Sequence, residues 1–394
     1  MLNIEKHQFQ VMRFPEFINK SEWNRKTLGD LLNVNSGKDY KHLQPGDIPV
    51  YGTGGYMLSV NDRLSDVDAI GIGRKGTIDK PQYLKAPFWT VDTLFYLTPK
   101  GDDILKYIFY LFQTIEWRKY SEQTGVPSLT RSSIERIDVE VPNPIEQQRI
   151  ADCLSSIDSY ISSINEKIEQ LKAHKKSLMQ KLFPQNGKTV PEYRFPEFEK
   201  DGAWEEDTME NIFEIRNGYT PSKSNPQFWE SGAIPWFRME DIRKNGHILS
   251  DSIQHITPIA IKGKGLFPAY SIILATTATI GEHALIIVDS LANQQFTFLT
   301  KRESFDSKLD MLYFHYYMFI IDEWCKQNTN SGGLLSVNMP AFKQLIVPFP
   351  QPTEQKKIAE CLSSIDKTII FYAQKASLLE QQKAGLIQQL FPQL

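Results

Sequence analysis

Cysteine is scarce in this chain of 394 residues, occurring only as Cys153, Cys325 and Cys361. Three such positions give no disulfide framework, and no C-x-x-C pair is present, so the sequence reads as a protein of a reducing compartment. No apolar run approaches the roughly 18 residues of a membrane span. The most apolar stretch, 313–321, carries His315 and runs into Asp322 and Glu323. With no secretory leader either, a cytoplasmic protein without a membrane partner is expected. Catalytic signatures are equally missing: there is no GxxxxGK[ST], no HExxH, no acidic cluster beside a lysine, and the seven histidines are scattered. Asn143-Pro-Ile lacks the second proline and the aromatic of the amino-methyltransferase motif. Gly71-Ile-Gly73-Arg-Lys-Gly76 satisfies GxGxxG, but Pro81 falls where a phosphate-binding helix should be in its second turn. These absences argue against an enzyme acting alone, and no metal or cofactor site is expected in the chain. A net charge of −3 does not announce nucleic acid, although it bounds only the average surface.

What the chain does contain is repetition. The stretch EQQRIADCLSSIDSYISSINEKIEQLKAHKKSLMQKLFPQ, 146–185, returns 208 positions later as EQKKIAECLSSIDKTIIFYAQKASLLEQQKAGLIQQLFPQ, 354–393, without a gap. Apolar residues fall at Ile150, Leu154, Ile157, Ile161, Ile164, Ile168, Leu171, Leu178 and Leu182, a heptad seam interrupted only by Lys175. The second copy keeps the seam and is interrupted by Lys383, the repeat partner of Lys175. Parallel pairing puts both ammonium groups in one layer; antiparallel pairing sets them near Ile365 and Ile157, so an antiparallel coiled coil is expected. Prolines at 142, 144 and 184 and at 350, 352 and 392 bound the two helices. A seam of this length makes a rod of about 50 Å, matching roughly 15 base pairs of B-form DNA. A simple dimerisation or bundle core is the plainer use of such a seam. Cys153 and Cys361 are repeat partners that the antiparallel arrangement puts at opposite ends, which excludes a bond between them.

The segments before the helices repeat as well. RFPEF at 13–17, Trp23 and the run 28–38 return 181 positions later as RFPEF at 194–198, Trp204 and 209–219. Further on the offset is 202: GTID at 76–79 aligns with ATIG at 278–281, and VDTLFYL at 91–97 with NQQFTFL at 293–299. The second module is thus longer by 27 residues, mostly early. Short β-rich runs (69–73, 94–97, 271–277, 284–288) and one helical stretch per module, 103–120 and 306–326, indicate α+β modules with twisted, largely antiparallel sheets. The organisation expected is a pseudo-twofold internal repeat: globular domains at 1–143 and 190–350, long helices at 144–185 and 351–394, and a linker near 186–189.

Within the shared framework the loops differ, which suggests two binding sites of unlike specificity. In the first module Lys38, Tyr40, Lys41 and His42 lead to Tyr51 and Thr53, and a tight turn presents Arg74, Lys75 and Thr77. In the second, Arg216, Tyr219, Thr220 and Lys223 lead to Trp236, Arg238, Arg243 and Lys244, and the matching turn offers Thr276, Thr277 and Thr279. Basic residues interleaved with aromatics and hydroxyls suit phosphate and base-edge contacts, so all of these are candidates for binding double-stranded DNA.

A module ending in VPNPIEQQRIADCLSSID and another ending in VPFPQPTEQKKIAECLSSID, each begun by RFPEF and Trp, resemble the specificity subunit of Type I restriction-modification enzymes across the whole chain. The resemblance implies a non-catalytic chain with two target-recognition domains that read an asymmetric bipartite DNA site. It also implies two modification (methyltransferase) subunits that use S-adenosylmethionine, and restriction subunits that use ATP and Mg. The helix faces near Glu146, Gln147, Arg149, Ser155 and Ser156, and near Glu354, Gln355, Lys357, Ser363 and Ser364, are then the expected docking sites for those partners. A free-standing tandem DNA-binding regulator and a methyltransferase with unrecognised motifs are the competing readings.

Overall fold

The computed structural model describes residues 11–20, 22–121, 125–185, 188–263, 265–330 and 335–392. The chain divides into two compact units, Met1–Lys167 with Tyr372–Leu394, and Ile168–Phe371. Each unit holds one globular module and a portion of both long helices, Pro144–Leu182 and Pro352–Leu390. The linker expected at 186–189 lies partly outside the described residues, at 186 and 187.

In the first unit the main sheet has the order Leu32–Ser36, Leu94–Pro99, Ala69–Gly73, Gln82–Leu84, antiparallel throughout. A smaller sheet pairs the hairpin Pro45–Gly52 and Gly55–Val60 with Trp89–Thr90, the last in parallel. The second unit repeats this plan. Its main sheet runs Phe213–Asn217, Phe296–Lys301, Ser271–Ala275, His283–Ile286, with Ile248–Leu249 added in parallel at the edge. Its smaller sheet sets Ile234–Phe237 between His255–Ile256 and Leu291–Ala292. The extra length before 278 builds helix Met239–Asn245 and the short strands beside it.

The helical stretch expected at 103–120 is shorter. Helix Leu105–Phe112 ends where Trp117 folds back and its indole N–H donates to the Phe112 carbonyl at 2.9 Å, and a separate 3-10 turn covers Trp117–Tyr120. Its counterpart runs Met311–Gln327, started by Asp310, whose carboxylate accepts from the Tyr313 N–H at 2.8 Å.

Both long helices are stitched into the module cores. In the first unit Ile150, Ala151 and Leu154 share a cluster with Tyr107, Ile108 and Leu111 and with Ile387, Leu390 and Phe391 from the end of the second helix. In the second unit Leu182 and Phe183 share one with Tyr313, Tyr317 and with Ile358, Ala359 and Leu362 from its start. Within each unit, therefore, the beginning of one helix lies beside the end of the other. At about 1.5–3 kcal/mol for each large apolar side chain buried, these contacts outweigh any helix propensity. The seam lysines are neutralised locally. Lys175 Nζ lies 2.7 Å from both carboxylate oxygens of Asp366, which also accepts from the Tyr316 hydroxyl at 2.8 Å. Lys383 and Tyr110 meet Asp158 in the same way in the first unit, at 2.5 and 2.6 Å.

The structure corrects one expectation about the helix starts. Glu146, Gln147, Glu354 and Gln355 are not docking surface; all four are buried. Glu146 accepts two hydrogen bonds from the Arg13 guanidinium, at 2.8 and 2.6 Å, and Glu354 accepts two from Arg194, at 2.9 and 2.6 Å. Gln147 donates to Asp103 and to the Pro142 carbonyl and accepts from the Ile104 N–H; Gln355 donates to the Lys308 and Pro350 carbonyls and accepts from the Asp310 N–H. A turn further on, Arg149 pairs with Glu16 at 3.4 Å and covers Phe14, while Lys357 pairs with Glu197 at 3.1 Å and covers Phe195. Ser155, Ser156 and Ser363 hydrogen-bond their own helix carbonyls, and Ser156 and Ser364 remain exposed.

Buried His315 on helix Met311–Gln327, buried His283 on strand His283–Ile286 and half-buried His247 cluster together. His283 donates to Asp322 at 2.9 Å and its other ring nitrogen faces the His315 carbonyl at 3.1 Å, while His247 bonds the His283 carbonyl at 2.7 Å. Burial first, then His283, His247 and Lys175, hold the His315 imidazole well below its ordinary 6.5. Burial drives Asp322 the other way, above 3.8, against the pull of His283.

Two outcomes are expected. Glu354→Ala strands a buried guanidinium and lowers stability by roughly 3–5 kcal/mol, measurable by urea unfolding. Below pH 6.5 the unfolded chain takes up a proton at His315 that the folded unit refuses. Stability present above that pH is therefore lost as pH falls, at up to about 1.4 kcal/mol per pH unit. His315→Gln should flatten the slope between about pH 6.5 and 5.

Candidate nucleic-acid interface

At one end of each main sheet, four chain segments converge and are tied by backbone hydrogen bonds. In the first module the Gly37 N–H donates to the Leu94 carbonyl at 3.1 Å and the Lys38 N–H to the Thr90 carbonyl at 2.9 Å. The Arg74 N–H donates to the Thr93 carbonyl at 2.8 Å, and the Leu129 N–H to the Arg74 carbonyl at 2.9 Å. Lys75 and Ser128 form an isolated β-bridge. In the second module the Gly218 N–H donates to the Phe296 carbonyl at 2.9 Å, the Thr276 N–H to the Gln295 carbonyl at 3.1 Å, and the Val337 N–H to the Thr276 carbonyl at 2.9 Å. Thr277 and Ser336 form the matching bridge.

The glycine in each cradle is required by close approach. A Cβ on Gly37 would stand 2.0 Å from the Val91 carbonyl oxygen, and one on Gly218 would stand 2.3 Å from that of Ala292. The backbone frame is thus the same twice, and the side chains on it differ.

In the first module the frame carries exposed Lys38, Arg74 and Lys75, and half-buried Thr77. Gly73 closes strand Ala69–Gly73, Gly76 turns the chain at φ 85°, and strand Gln82–Leu84 follows, so no phosphate-binding helix stands there. Tyr51 and Thr53 lie on the smaller sheet's hairpin, which Gln82 fastens by donating to the Gly52 and Thr53 carbonyls at 2.9 and 3.3 Å. Tyr40 packs on that sheet's core, His42 stands edge-on to Trp89, and Lys41 is exposed.

In the second module the frame carries half-buried Thr220, Thr277 and Thr279. Two candidates are corrected. Trp236 is 1% exposed, its indole N–H given to the Tyr219 carbonyl at 3.0 Å, because it is the core of the smaller sheet. Thr276 is 7% exposed and its hydroxyl bonds that of Thr297 at 3.1 Å, because strand Ser271–Ala275 carries it into the sheet. Tyr219 is half-buried; its hydroxyl donates to the Ala260 carbonyl at 3.2 Å and accepts from the Lys262 N–H at 2.6 Å. Arg216 covers Phe267 at 4.3 Å beside Glu214, and Arg238 pairs with Glu240 at 2.9 Å. Lys223, Arg243 and Lys244 are exposed, the last two in the final turn of helix Met239–Asn245.

The tips of the turns 91–93 and 293–295 belong to this frame as well. Asp92 and Gln294 occupy equivalent places, both exposed. Aligning VDT with NQQ brings these positions together in the sequence, but neither carries a basic or aromatic residue to draw notice.

The family model for the Type I restriction modification DNA specificity domain matches residues 20–173 and again 202–381. The chain belongs to that family. The two matches end within the two long helices, so each covers most of a module and the greater part of the helix that follows it. Over 157 residues the chain is 48% identical to the Type I restriction enzyme EcoprrI specificity subunit of Escherichia coli, a stretch that is 40% of this chain and 39% of that one. Against the MjaVIII specificity subunit of Methanocaldococcus jannaschii it is 25% identical over 305 residues, 73% of this chain and 68% of that one. In fold it is similar to the crystal structure of the Type I restriction-modification S subunit from M. genitalium, with a TM-score of 0.61 at 16% identity over 96% of this chain and 98% of that one. Among the described residues no helix is long and apolar enough to cross a membrane.

Gly218→Ala forces two fixed backbones apart and is expected to destabilise the second module by about 1–3 kcal/mol, as overpacking does. Urea unfolding read from tryptophan fluorescence checks it, with Gly202→Ala, whose added Cβ meets nothing within 4 Å, as the neutral control.

Proposed function

We propose that this chain is the DNA-specificity subunit of a Type I restriction-modification complex, with target-recognition domains at 1–143 and 190–350 and helices at 144–185 and 351–394. The observation that carries this is the cradle built twice on one backbone with unlike side chains, in a chain of the specificity family. A reader of two different half-sites needs the same docking geometry twice and different base contacts each time.

In this reading the two long helices pair antiparallel along their length as a coiled coil. Support comes from Lys175 meeting Asp366 and Lys383 meeting Asp158 within their own units, one residue beyond the seam positions an antiparallel register assigns. The helices are then the element that joins the two modules, and the DNA between the half-sites goes unread. Exposed residues repeated on both helices, Arg149 and Ser156 and their counterparts Lys357 and Ser364, offer one modification subunit two equivalent surfaces. Methyl transfer from S-adenosylmethionine, and ATP- and Mg-dependent cleavage, belong to the partner subunits, and this chain is non-catalytic.

Co-expression with the modification subunit, followed by sequencing of modified bases in the host DNA, is expected to reveal one asymmetric bipartite motif with a single spacer length. A stable complex without sequence-specific methylation refutes the reading. The double variant Arg74→Ala, Lys75→Ala should weaken binding to all duplexes alike and make the slope of log affinity against log salt shallower by up to about 2.

A further inference from the structure

We infer that Gln294 is a specificity-determining residue: its side-chain amide reads an adenine in the half-site of the second module. This deepens the function proposed above and rests on it.

The turn that carries Gln294 is held from several sides. The Asn293 N–H donates to the Phe237 carbonyl at 3.0 Å, the Asn293 side-chain oxygen accepts from the Gln295 N–H at 3.0 Å, and the Gln295 carbonyl accepts from Thr276 at 3.1 Å. The neighbouring segment closes on it through Gly218, whose N–H bonds the Phe296 carbonyl. Gln294 is left exposed at the tip, and its side-chain oxygen already accepts a hydrogen bond from the Thr220 hydroxyl. That bond orients the amide before any ligand arrives and uses one of the two lone pairs on the oxygen. The second lone pair and the amide N–H groups remain, an acceptor beside a donor. This is the complement of the N6 amino group and N7 of adenine in the major groove, the pairing that Asn and Gln make.

The internal repeat supplies an independent comparison. At the same place the first module has Asp92, which offers acceptors only and cannot make that pair; its complement is the N4 amino group of cytosine. The surroundings differ in the same sense. The first cradle flanks its tip with Arg74 and Lys75, cations that any phosphate attracts, whereas the second has Thr276 and Thr277 at those positions. An amide beside threonines lacks the charge that draws Arg74 and Lys75 to any phosphate, and its paired donor and acceptor match a base edge.

The test is selection from a random-sequence duplex pool by the full chain assembled with its modification subunits. For Gln294→Ala, one A·T position in one half-site is expected to lose its preference. Affinity for the wild-type site falls between about 5-fold and 150-fold, the range one bidentate base contact supplies. The other half-site and the spacer stay unchanged. Gln294→Asp should shift the same position toward C·G. An unchanged selected site for both variants overturns the inference. So does a loss spread evenly over all positions by a variant whose melting transition matches wild type. Absence of any selected site with the wild-type complex overturns the proposed function itself, and this inference with it.

Discussion

Everything in each half depends on a buried carboxylate clamped by a guanidinium. Glu146 with Arg13, and Glu354 with Arg194, sit where a long helix leaves its module, desolvated enough that neither charge tolerates the loss of the other. Gln147 and Gln355 complete the joint by taking backbone groups that the module leaves open, and Arg149 and Lys357 pin the segment carrying the guanidinium from outside. Two motifs far apart in sequence, RFPEF and the Glu-Gln that starts each helix, recur together because they are halves of one contact.

That joint ties the start of each helix to its module, and the cradle stands on the same module. Four segments joined through main-chain hydrogen bonds fix where side chains are presented without saying which ones they are. Backbone bonding is indifferent to residue type, except at Gly37 and Gly218, where any Cβ collides with a carbonyl. The tips can therefore carry Asp92 and Arg74 in one half and Gln294 and Thr276 in the other at no cost to the frame. A common backbone frame and the side chains it presents are thus separated in the same molecule.

Electrostatics are handled locally throughout. The seam lysines, each a costly interruption of an apolar stripe, meet an aspartate and a tyrosine hydroxyl inside their own unit. The His315 imidazole, within helix Met311–Gln327, is instead held well below its ordinary 6.5, chiefly by burial.

The sequence by itself determined the two long helices, the internal duplication and four strands of the two main sheets, because heptad spacing, a gapless repeat and β-rich runs are properties of neighbours along the chain. It also located the seam lysines to within a residue of their partners. Tertiary structure alone decided which polar residues face outward. Glu146, Gln147, Glu354 and Gln355 look like surface in a helix start and are interior, since their partners, such as Arg13 and Asp310, are remote in sequence. Trp236 and Thr276 look like contact residues and are core, since the aromatic and hydroxyl chemistry that suits DNA equally suits a sheet interior. Gln294 shows the converse: nothing local distinguishes it, and only the closing of four distant segments brings its amide to the tip of a fixed turn. Periodicity encodes elements, but exposure is set by what folds against them.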